Sequence, residues 1–162
     1  MTAPTPDLFR TAMAQFASGV TVVTTVQGDV DHAMTANAFT SVSLDPPLVL
    51  VCVDKSTRFH QAVALSRFWG ASILGGEQLE PARWLAIRGR QLAGQLDSVA
   101  HRRGEHTGAA LLEEALCRLE CRTWEMYDGG DHTIVVGEVV GLDLARPDAS
   151  AMVYFRGGFA TL

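Results

Sequence analysis

The run from Val20 to Val26 constrains the fold more than any other part of this sequence, because each of its residues is valine or threonine. β-Branched side chains lose rotamer freedom in a helix and pack well on a pleated sheet, so this run predicts a strand. Gln27-Gly28-Asp29 favours a turn, and a second strand over 33–43 is expected to form a hairpin with the first. The core therefore begins as antiparallel β-structure.

Short apolar segments alternate with turn residues along the rest of the chain. Asp45-Pro46-Pro47 cannot continue a central strand, because proline lacks the N–H that a sheet ladder needs. The segment 48–53 is apolar throughout and is expected to be a strand buried on both faces. The other predicted strands are 68–74, one from about Cys117, 133–144 and 152–155. The predicted helices are 5–18, one that is capped by Ser56 or Thr57 and ends near Leu65, and one from Pro81 to near Gly89. This pattern favours a mainly β antiparallel barrel with peripheral helices.

Length and charge narrow the class of protein. A chain of 162 residues predicts one domain, 1–162, and a net charge of −5 argues against a nucleic-acid partner, which needs a basic surface. There is no apolar run of about 18 residues and no signal-peptide pattern at the start, so we expect no membrane partner and a cytoplasmic location. Charged residues make up 19%, so a homodimer interface or a large cofactor pocket is expected to cover apolar surface.

Several common catalytic motifs are missing from the sequence. There is no G-x-G-x-x-G after a strand, no P-loop, no G-x-S-x-G and no H-E-x-x-H. This weighs against a Rossmann dehydrogenase and a serine hydrolase. The sequence has three cysteines, Cys52, Cys117 and Cys121, an odd number, and they are not spaced as zinc ligands. We therefore expect buried thiols and no metal site.

A first candidate site is the stretch M-T-A-N-A-F-T-S-V-S over 34–43. Its hydroxyls, amide and alanines are small, and small side chains allow a flat ring to approach the backbone groups that can recognise its polar edge. The alternative interpretation is a plain exposed strand that is rich in serine and threonine.

A second candidate is the stretch C-V-D-K-S-T-R over 52–58, where a buried strand opens into hydroxyls and cations at a helix start. Exposed N–H groups and the helix dipole attract anions there, and Arg58 can hold a phosphate through paired donors. An ordinary capped turn is the alternative.

A third candidate is Gly129-Gly130-Asp131-His132, a tight turn that brings a histidine to the start of a strand. His132 can hydrogen-bond a carboxamide or a ribose, or take part in proton transfer. A purely structural histidine is the alternative.

Taken together, six motifs resemble the flavin reductase-like family of FMN-binding split barrels, which includes reductase components of two-component flavin monooxygenases. They occur in the family's order over nearly the whole chain, and their combination is specific although each motif alone is weak. The motifs are F-A-S-G-V-T-V-V-T-T (16–25), M-T-A-N-A-F-T-S-V-S-L-D-P-P-L (34–48), V-C-V-D-K-S-T (51–57), L-E-C-R (119–122), G-D-H-T-I-V-V-G-E-V (130–139) and V-Y-F-R-G-G-F (153–159).

The resemblance implies a six-stranded antiparallel split β-barrel of Greek-key topology, dimeric, with FMN or FAD near the subunit interface and NADH or NADPH as hydride donor. It also implies a flavin-dependent monooxygenase as a partner. The implied cofactor-binding residues are Thr35, Ala36, Asn37, Ala38, Thr40, Ser41, Cys52, Val53, Asp54, Ser56, Thr57, Arg58, Tyr154 and Arg156, with His132 as the catalytic residue on the nicotinamide side.

Two segments depart from the family pattern. Ala71-Ser72-Ile73-Leu74 replaces a strand that commonly carries asparagine, and Leu96-Asp97-Ser98-Val99 lacks the usual cation before an aromatic residue. Either Arg88 or Arg90 substitutes for that cation, or flavin binds weakly. The rival functions are a deazaflavin-binding relative, a non-catalytic flavin or haem sensor or carrier, and a structural domain that binds nothing.

Overall fold

The structure is a computed structural model that describes residues 3–162. Three helices and twelve strands follow one another in the part of the chain that it describes. In chain order they are α1 (Pro6–Met13), β1 (Ser18–Gly19), β2 (Thr21–Gln27), β3 (Val30–Ala36), β4 (Phe39–Leu44), β5 (Pro47–Asp54), α2 (Arg58–Ser66), β6 (Phe68–Ile73), α3 (Leu79–Ala86), β7 (His101–Arg103), β8 (Ala110–Leu112), β9 (Cys117–Gly129), β10 (His132–Asp143), β11 (Met152–Phe155) and β12 (Gly158–Thr161).

The strands form a seven-stranded antiparallel sheet in the order β3-β2-β6-β9-β10-β5-β4. A three-stranded sheet, β1-β11-β12, and a two-stranded sheet, β7-β8, complete the β-structure of residues 3–162. The mainly β, antiparallel prediction is confirmed. The count of six strands is wrong, because the main sheet holds seven.

The extra strand arises where one long strand was predicted over 33–43. The chain leaves β3 after Ala36 and enters β4 at Phe39, and these two strands lie at opposite ends of the strand order. Cys52 N donates to Ala38 O at 3.0 Å, so the connection itself bonds to β5. The break places Asn37 and Ala38 between two edges of the sheet.

The β-branched run that opens the core is buried on both faces. Val23 packs in a cluster with Val51 and Trp69, whereas its neighbour Val22 packs in a second cluster with Leu74. Full burial of such side chains stabilises by about 1.5–3 kcal/mol each. The main sheet is therefore covered by apolar groups on both sides at β2.

One predicted burial pattern and one predicted helix boundary differ from the structure. In β5 the odd-numbered residues from Val49 to Val53 are buried, but Leu48, Leu50 and Cys52 are only half-buried, so the strand alternates. Helix α1 ends at Met13, before the predicted Ser18. After Met13 the chain tightens into a turn, because Gln15 N and Phe16 N donate to the carbonyls three residues back, each at 3.0 Å.

The apolar face of α1 lies uncovered. Phe9 is 61% exposed and no residue of α1 is buried; Phe16, in the turn after the helix, is 72% exposed. The helices found within 3–162 are too short or too polar to span a bilayer.

Candidate functional site

A cavity of about 880 Å³ lies where β3, β5, β10 and β11 approach the start of α2 and the segment after α3. Sites for small molecules in proteins run to about 300–1,000 Å³, so this cavity is near the upper end. The structure brings to it these residues that the sequence predicted as a site: Thr35, Ala36, Asn37, Ala38, Cys52, Asp54, Ser56, Thr57, Arg58, His132 and Tyr154.

Four other predicted residues do not line the cavity. Val53 is fully buried in the core, because strand alternation turns its side chain away from Cys52 and Asp54. Thr40 and Ser41 lie exposed on β4. Arg156 occupies the turn between β11 and β12 with a φ of 51°, and its Nε donates to Gln15 Oε1 at 3.0 Å.

One wall of the cavity is made of small side chains on β3 and the connection that follows it. Ala33, Ala36 and Ala38 line it, and Thr35 and Asn37 alternate with them. The Thr35 hydroxyl donates to Ala82 O at 2.7 Å, and Asn37 Nδ2 donates to Ser18 Oγ at 3.2 Å. Both polar groups already have partners within the fold, and we call this surface of small side chains the alanine wall.

The corner between β5 and α2 is a network around Asp54. Its Oδ1 accepts from Ser56 N at 2.8 Å and from Ser56 Oγ at 2.7 Å, and its Oδ2 accepts from Arg88 Nη2 at 2.8 Å. These bonds, led by that of the Ser56 hydroxyl, lower the pKa of Asp54 to about 2. Asp54 is therefore ionised at neutral pH and paired with Arg88.

Thr57 caps helix α2 at this corner. Its Oγ1 donates to Asp54 O at 2.8 Å and accepts from His60 N at 3.2 Å. The hydroxyls of Ser56 and Thr57 thus have partners within the corner, whereas the exposed guanidinium of Arg58 faces the cavity without a carboxylate partner in residues 3–162.

His132 begins β10 and pairs in register with Asp54 of β5, so the two candidate stretches meet at one end of the sheet. Its side chain is 41% exposed, and Nδ1 lies 2.7 Å from Asp131 Oδ1. Tyr154, which also lines the cavity, packs edge-on against Phe159, with ring centroids 5.5 Å apart. The cavity therefore has an imidazole on β10 and a pair of aromatic rings in its wall.

The segment after α3 forms a wall that the sequence pattern did not predict. Arg90 holds it: Nη1 donates to Leu85 O and Ile87 O, each at 3.0 Å, and Nη2 donates to Gln95 Oε1 at 2.8 Å and to Ala33 O. The only signal in the sequence was the pair of arginines proposed as substitutes for a missing cation. Further lining residues that were missed include Val20, His32, Phe59, Leu92 and Phe159.

Cysteine and metal chemistry find little support at this cavity. Burial raises the pKa of the Cys52 thiol, so the thiol is protonated at neutral pH. No group of three or more histidine, cysteine, aspartate or glutamate side chains within 3–162 is arranged to hold a metal ion.

A mainly β fold with a large cavity, a wall of small side chains and an arginine at a helix start is suited in shape and charge to flat, anionic ligands. The sequence model described as "Flavin reductase like domain" matches residues 13–162, and the chain belongs to that family.

Individual relatives agree with this assignment. The NADH-dependent FAD reductase of Streptomyces globisporus is 43% identical over 150 residues, which cover 92% of this chain and 81% of that protein. The reductase component of a 4-nitrophenol monooxygenase from Rhodococcus opacus is 36% identical, covering 93% of this chain and 78% of that protein. The crystal structure of BorF, the flavin reductase component of a bacterial two-component tryptophan halogenase, is 42% identical, with a TM-score of 0.91 and 98% of both chains covered.

Proposed function

We propose that this protein is an NAD(P)H-dependent flavin reductase, which passes a hydride from a nicotinamide dinucleotide to FMN or FAD. The observation that carries the proposal is the 880 Å³ cavity, which joins an alanine wall to the arginine at the start of α2. Membership of the family and the activities of its relatives support this function over a non-catalytic or deazaflavin-binding protein.

The cavity fits a flavin in shape and charge. A tricyclic ring can lie flat against Ala36 and Ala38, since neither side chain extends beyond one methyl group. Arg58 stands where a phosphate at the end of the ribityl chain can reach its paired donors. The volume leaves space for a nicotinamide ring beside the flavin.

Hydride transfer from nicotinamide C4 to flavin N5 is the chemistry that the bound cofactors supply. For this transfer the two rings would have to lie about 3–3.5 Å apart with the reacting atoms aligned, and the walls of the cavity would hold them so. In our proposal the alanine wall and Arg58 fix the flavin, with Ser56 and Thr57 shaping the corner beside the phosphate. His132 binds the carboxamide of the donor, and Tyr154 lines the part of the cavity that the donor occupies.

The direct test is oxidation of NADH and of NADPH by the purified protein with riboflavin, FMN and FAD, followed optically. Turnover with at least one flavin is the expected result. A protein that binds flavin without turnover would be a carrier or sensor, and the absorption spectrum separates bound flavin from deazaflavin.

Replacing Arg58 with alanine should weaken FMN about tenfold and leave riboflavin nearly unchanged. A charge-assisted bond to phosphate is worth about 1.5–3 kcal/mol, and riboflavin has no phosphate to lose it. Fluorescence titration of both flavins measures the two dissociation constants. Arg10→Ala, on the exposed α1, is the matched control. An equal loss for both flavins would remove Arg58 from the phosphate role.

Replacing His132 with alanine should raise the KM for NADH by about tenfold and change the KM for flavin by less than twofold. The loss of one well-placed hydrogen bond to the donor is worth about 1.4 kcal/mol, which is a factor of ten. Steady-state kinetics with each substrate varied in turn measures both constants. An unchanged KM for NADH would leave His132 with a structural role.

We also propose a homodimer, one domain over 1–162, a cytoplasmic location and a flavin-dependent monooxygenase as a partner. The uncovered faces of α1 and β4 support the homodimer, since Phe9 and Leu44 are 61% and 94% exposed. Light scattering should give twice the chain mass; a monomer would contradict the homodimer.

The Rhodococcus opacus relative, which is a monooxygenase component, supports a flavin-dependent monooxygenase as the partner, and pull-down with a purified monooxygenase tests this association.

A further inference from the structure

Lys55 is the only lysine of the chain, and the proposed mechanism does not use it. It follows Asp54 at the corner between β5 and α2, and its side chain reaches the turn that joins β9 to β10. Nζ donates to Asp128 Oδ1 and, at 2.6 Å, to Gly130 O. The backbone N of Lys55 donates to Asp131 O at 3.1 Å. One residue of the corner thus makes three hydrogen bonds to a single turn.

This turn carries His132 to the cavity. Gly129 pairs with His132 across the hairpin, so the loop between the strands is only Gly130 and Asp131. The φ of 80° at Gly130 is the positive value that a two-residue hairpin turn needs. Asp131 Oδ1 lies 2.7 Å from His132 Nδ1. Because the loop is so short, a displacement of either loop residue also moves the imidazole.

The ion pair between Lys55 and Asp128 lies at the surface. Their side chains are 39% and 80% exposed. The hydrogen bond from Lys55, followed by that from Gly130 N, holds the pKa of Asp128 below its usual value, so the carboxylate is charged at neutral pH. Exposed ion pairs add little to the free energy of unfolding, so the main effect of this pair is on where the turn is held.

Lys55 also stands between the two halves of the candidate site. Just before it, Asp54 pairs in register with His132 of β10. Just after it, the chain enters α2, which begins at Arg58, the residue proposed to hold the flavin phosphate. The bonds of Lys55 therefore tie the segment that carries Arg58 to the turn that carries His132.

We infer that Lys55 is a positioning residue for hydride transfer, which clamps the β9–β10 turn to the flavin corner and so sets the place of His132 relative to the flavin. The inference rests on the proposed function, because it concerns the residue proposed to bind the carboxamide of the donor. Lys55 touches neither cofactor and acts through His132.

The variant Lys55→Met removes the ammonium at similar length and keeps the backbone N–H. It should raise the KM for NADH about fivefold, which is less than the effect of His132→Ala, because a loosened imidazole still makes part of its contact. The dissociation constant of FMN, from fluorescence titration, should change less than about twofold, since the variant keeps Arg58 and its phosphate donors.

The matched control is Arg122→Met, which breaks an exposed ion pair with Glu138 between the same two strands. It should leave the KM for NADH and the affinity for FMN as in the wild type, and circular dichroism melting should show both variants folded. An unchanged KM for NADH in a folded Lys55→Met, or an equal loss of FMN affinity, would overturn the inference.

A double-mutant cycle shows whether Lys55 acts through His132. In His132→Ala there is no imidazole left to place, so adding Lys55→Met should raise the KM for NADH by less than about 1.5-fold further. A second fivefold increase in that background would mean that Lys55 acts on the donor by another route, and it would overturn the positioning role.

Failure of the proposed function gives a different result. If the wild-type protein oxidises neither NADH nor NADPH with any flavin, the proposed function fails. Backbone NMR order parameters at Gly130 and His132 still test the clamp, because they need no ligand. We expect about 0.85 in the wild type and a fall toward about 0.6 in Lys55→Met. Equal values in the two proteins would overturn the clamp even in an active enzyme.

Discussion

A tryptophan in place of Ala38 should reduce flavin affinity more than a hundredfold and leave the protein folded. Ala38 is exposed at the cavity wall, in the connection between β3 and β4, so a larger side chain has space without entering the core. Its carbonyl bonds to Cys52 N at 3.0 Å, so the backbone that would carry the new ring is held to β5. Occupying the surface where an isoalloxazine would stack costs about 3 kcal/mol or more, a factor above one hundred.

Flavin fluorescence titration and NADH oxidation measure this loss. The matched control is Ala64→Trp, on the exposed side of α2 and away from the cavity, which should bind flavin as the wild type does. Circular dichroism melting should show both variants folded, with midpoints within a few degrees of the wild type. Flavin affinity within threefold of the wild type in Ala38→Trp would place the ring elsewhere.

Much of the fold followed from local pattern. The run of valine and threonine predicted β2, and the predicted strand 152–155 is β11 (Met152–Phe155) to the residue. The cap on α2 was also predicted, because Thr57 before a helical pattern has a local cause: its hydroxyl accepts from His60 N. These features depend on neighbours in sequence, so the sequence is sufficient to find them.

The predictions that were wrong concern features that depend on partners distant in the sequence. Nothing in Asn37-Ala38 breaks a strand by itself; the break occurs because Ala38 O bonds to Cys52 N, fourteen positions along the chain. Likewise β12 consists of Gly158 to Thr161, a short segment that gains its strand form by pairing with β11. Tertiary pairing decides such segments, and composition does not reveal it.

The candidate site likewise has parts that the sequence predicted and parts that only the tertiary structure reveals. The stretches around Thr35, Asp54 and His132 were predicted as three separate candidates, and the pairing of β5 with β10 brings two of them together. The wall from Leu85 to Leu92 was missed, since its position is set by the bonds of Arg90 to carbonyls of other segments. His32 was missed because a single histidine in a strand is a common structural residue.

Replacing Glu120 with alanine should lower the free energy of unfolding by about 3 kcal/mol. This carboxylate is 7% exposed on β9 and accepts four hydrogen bonds from the loop that follows β7. Glu105 N donates to Oε1 at 3.1 Å; His106 N, Thr107 N and Thr107 Oγ1 donate to Oε2 at 2.9, 2.8 and 2.8 Å. Removing the acceptor leaves several donors unpaired, each at about 1–3 kcal/mol before water compensates.

Acid should remove part of this stabilisation, and the direction follows from the pKa of Glu120. Burial raises that pKa, but the bonds from Thr107 and His106 outweigh burial and lower it below the unfolded value of about 4.3. The stabilisation is therefore complete above that value and is lost as the pH falls through the folded pKa. In Glu120→Gln the amide oxygen still accepts hydrogen bonds from its donors, and the side chain at position 120 no longer titrates. Urea unfolding measures the free energy of unfolding of the wild type and of Glu120→Gln. The difference between the two values should narrow below about pH 4. Glu125→Ala, exposed on the same strand, should stay within about 0.5 kcal/mol of the wild type. A gap that widens with acid would mean that the protonated acid, and not the carboxylate, is the form that the loop binds.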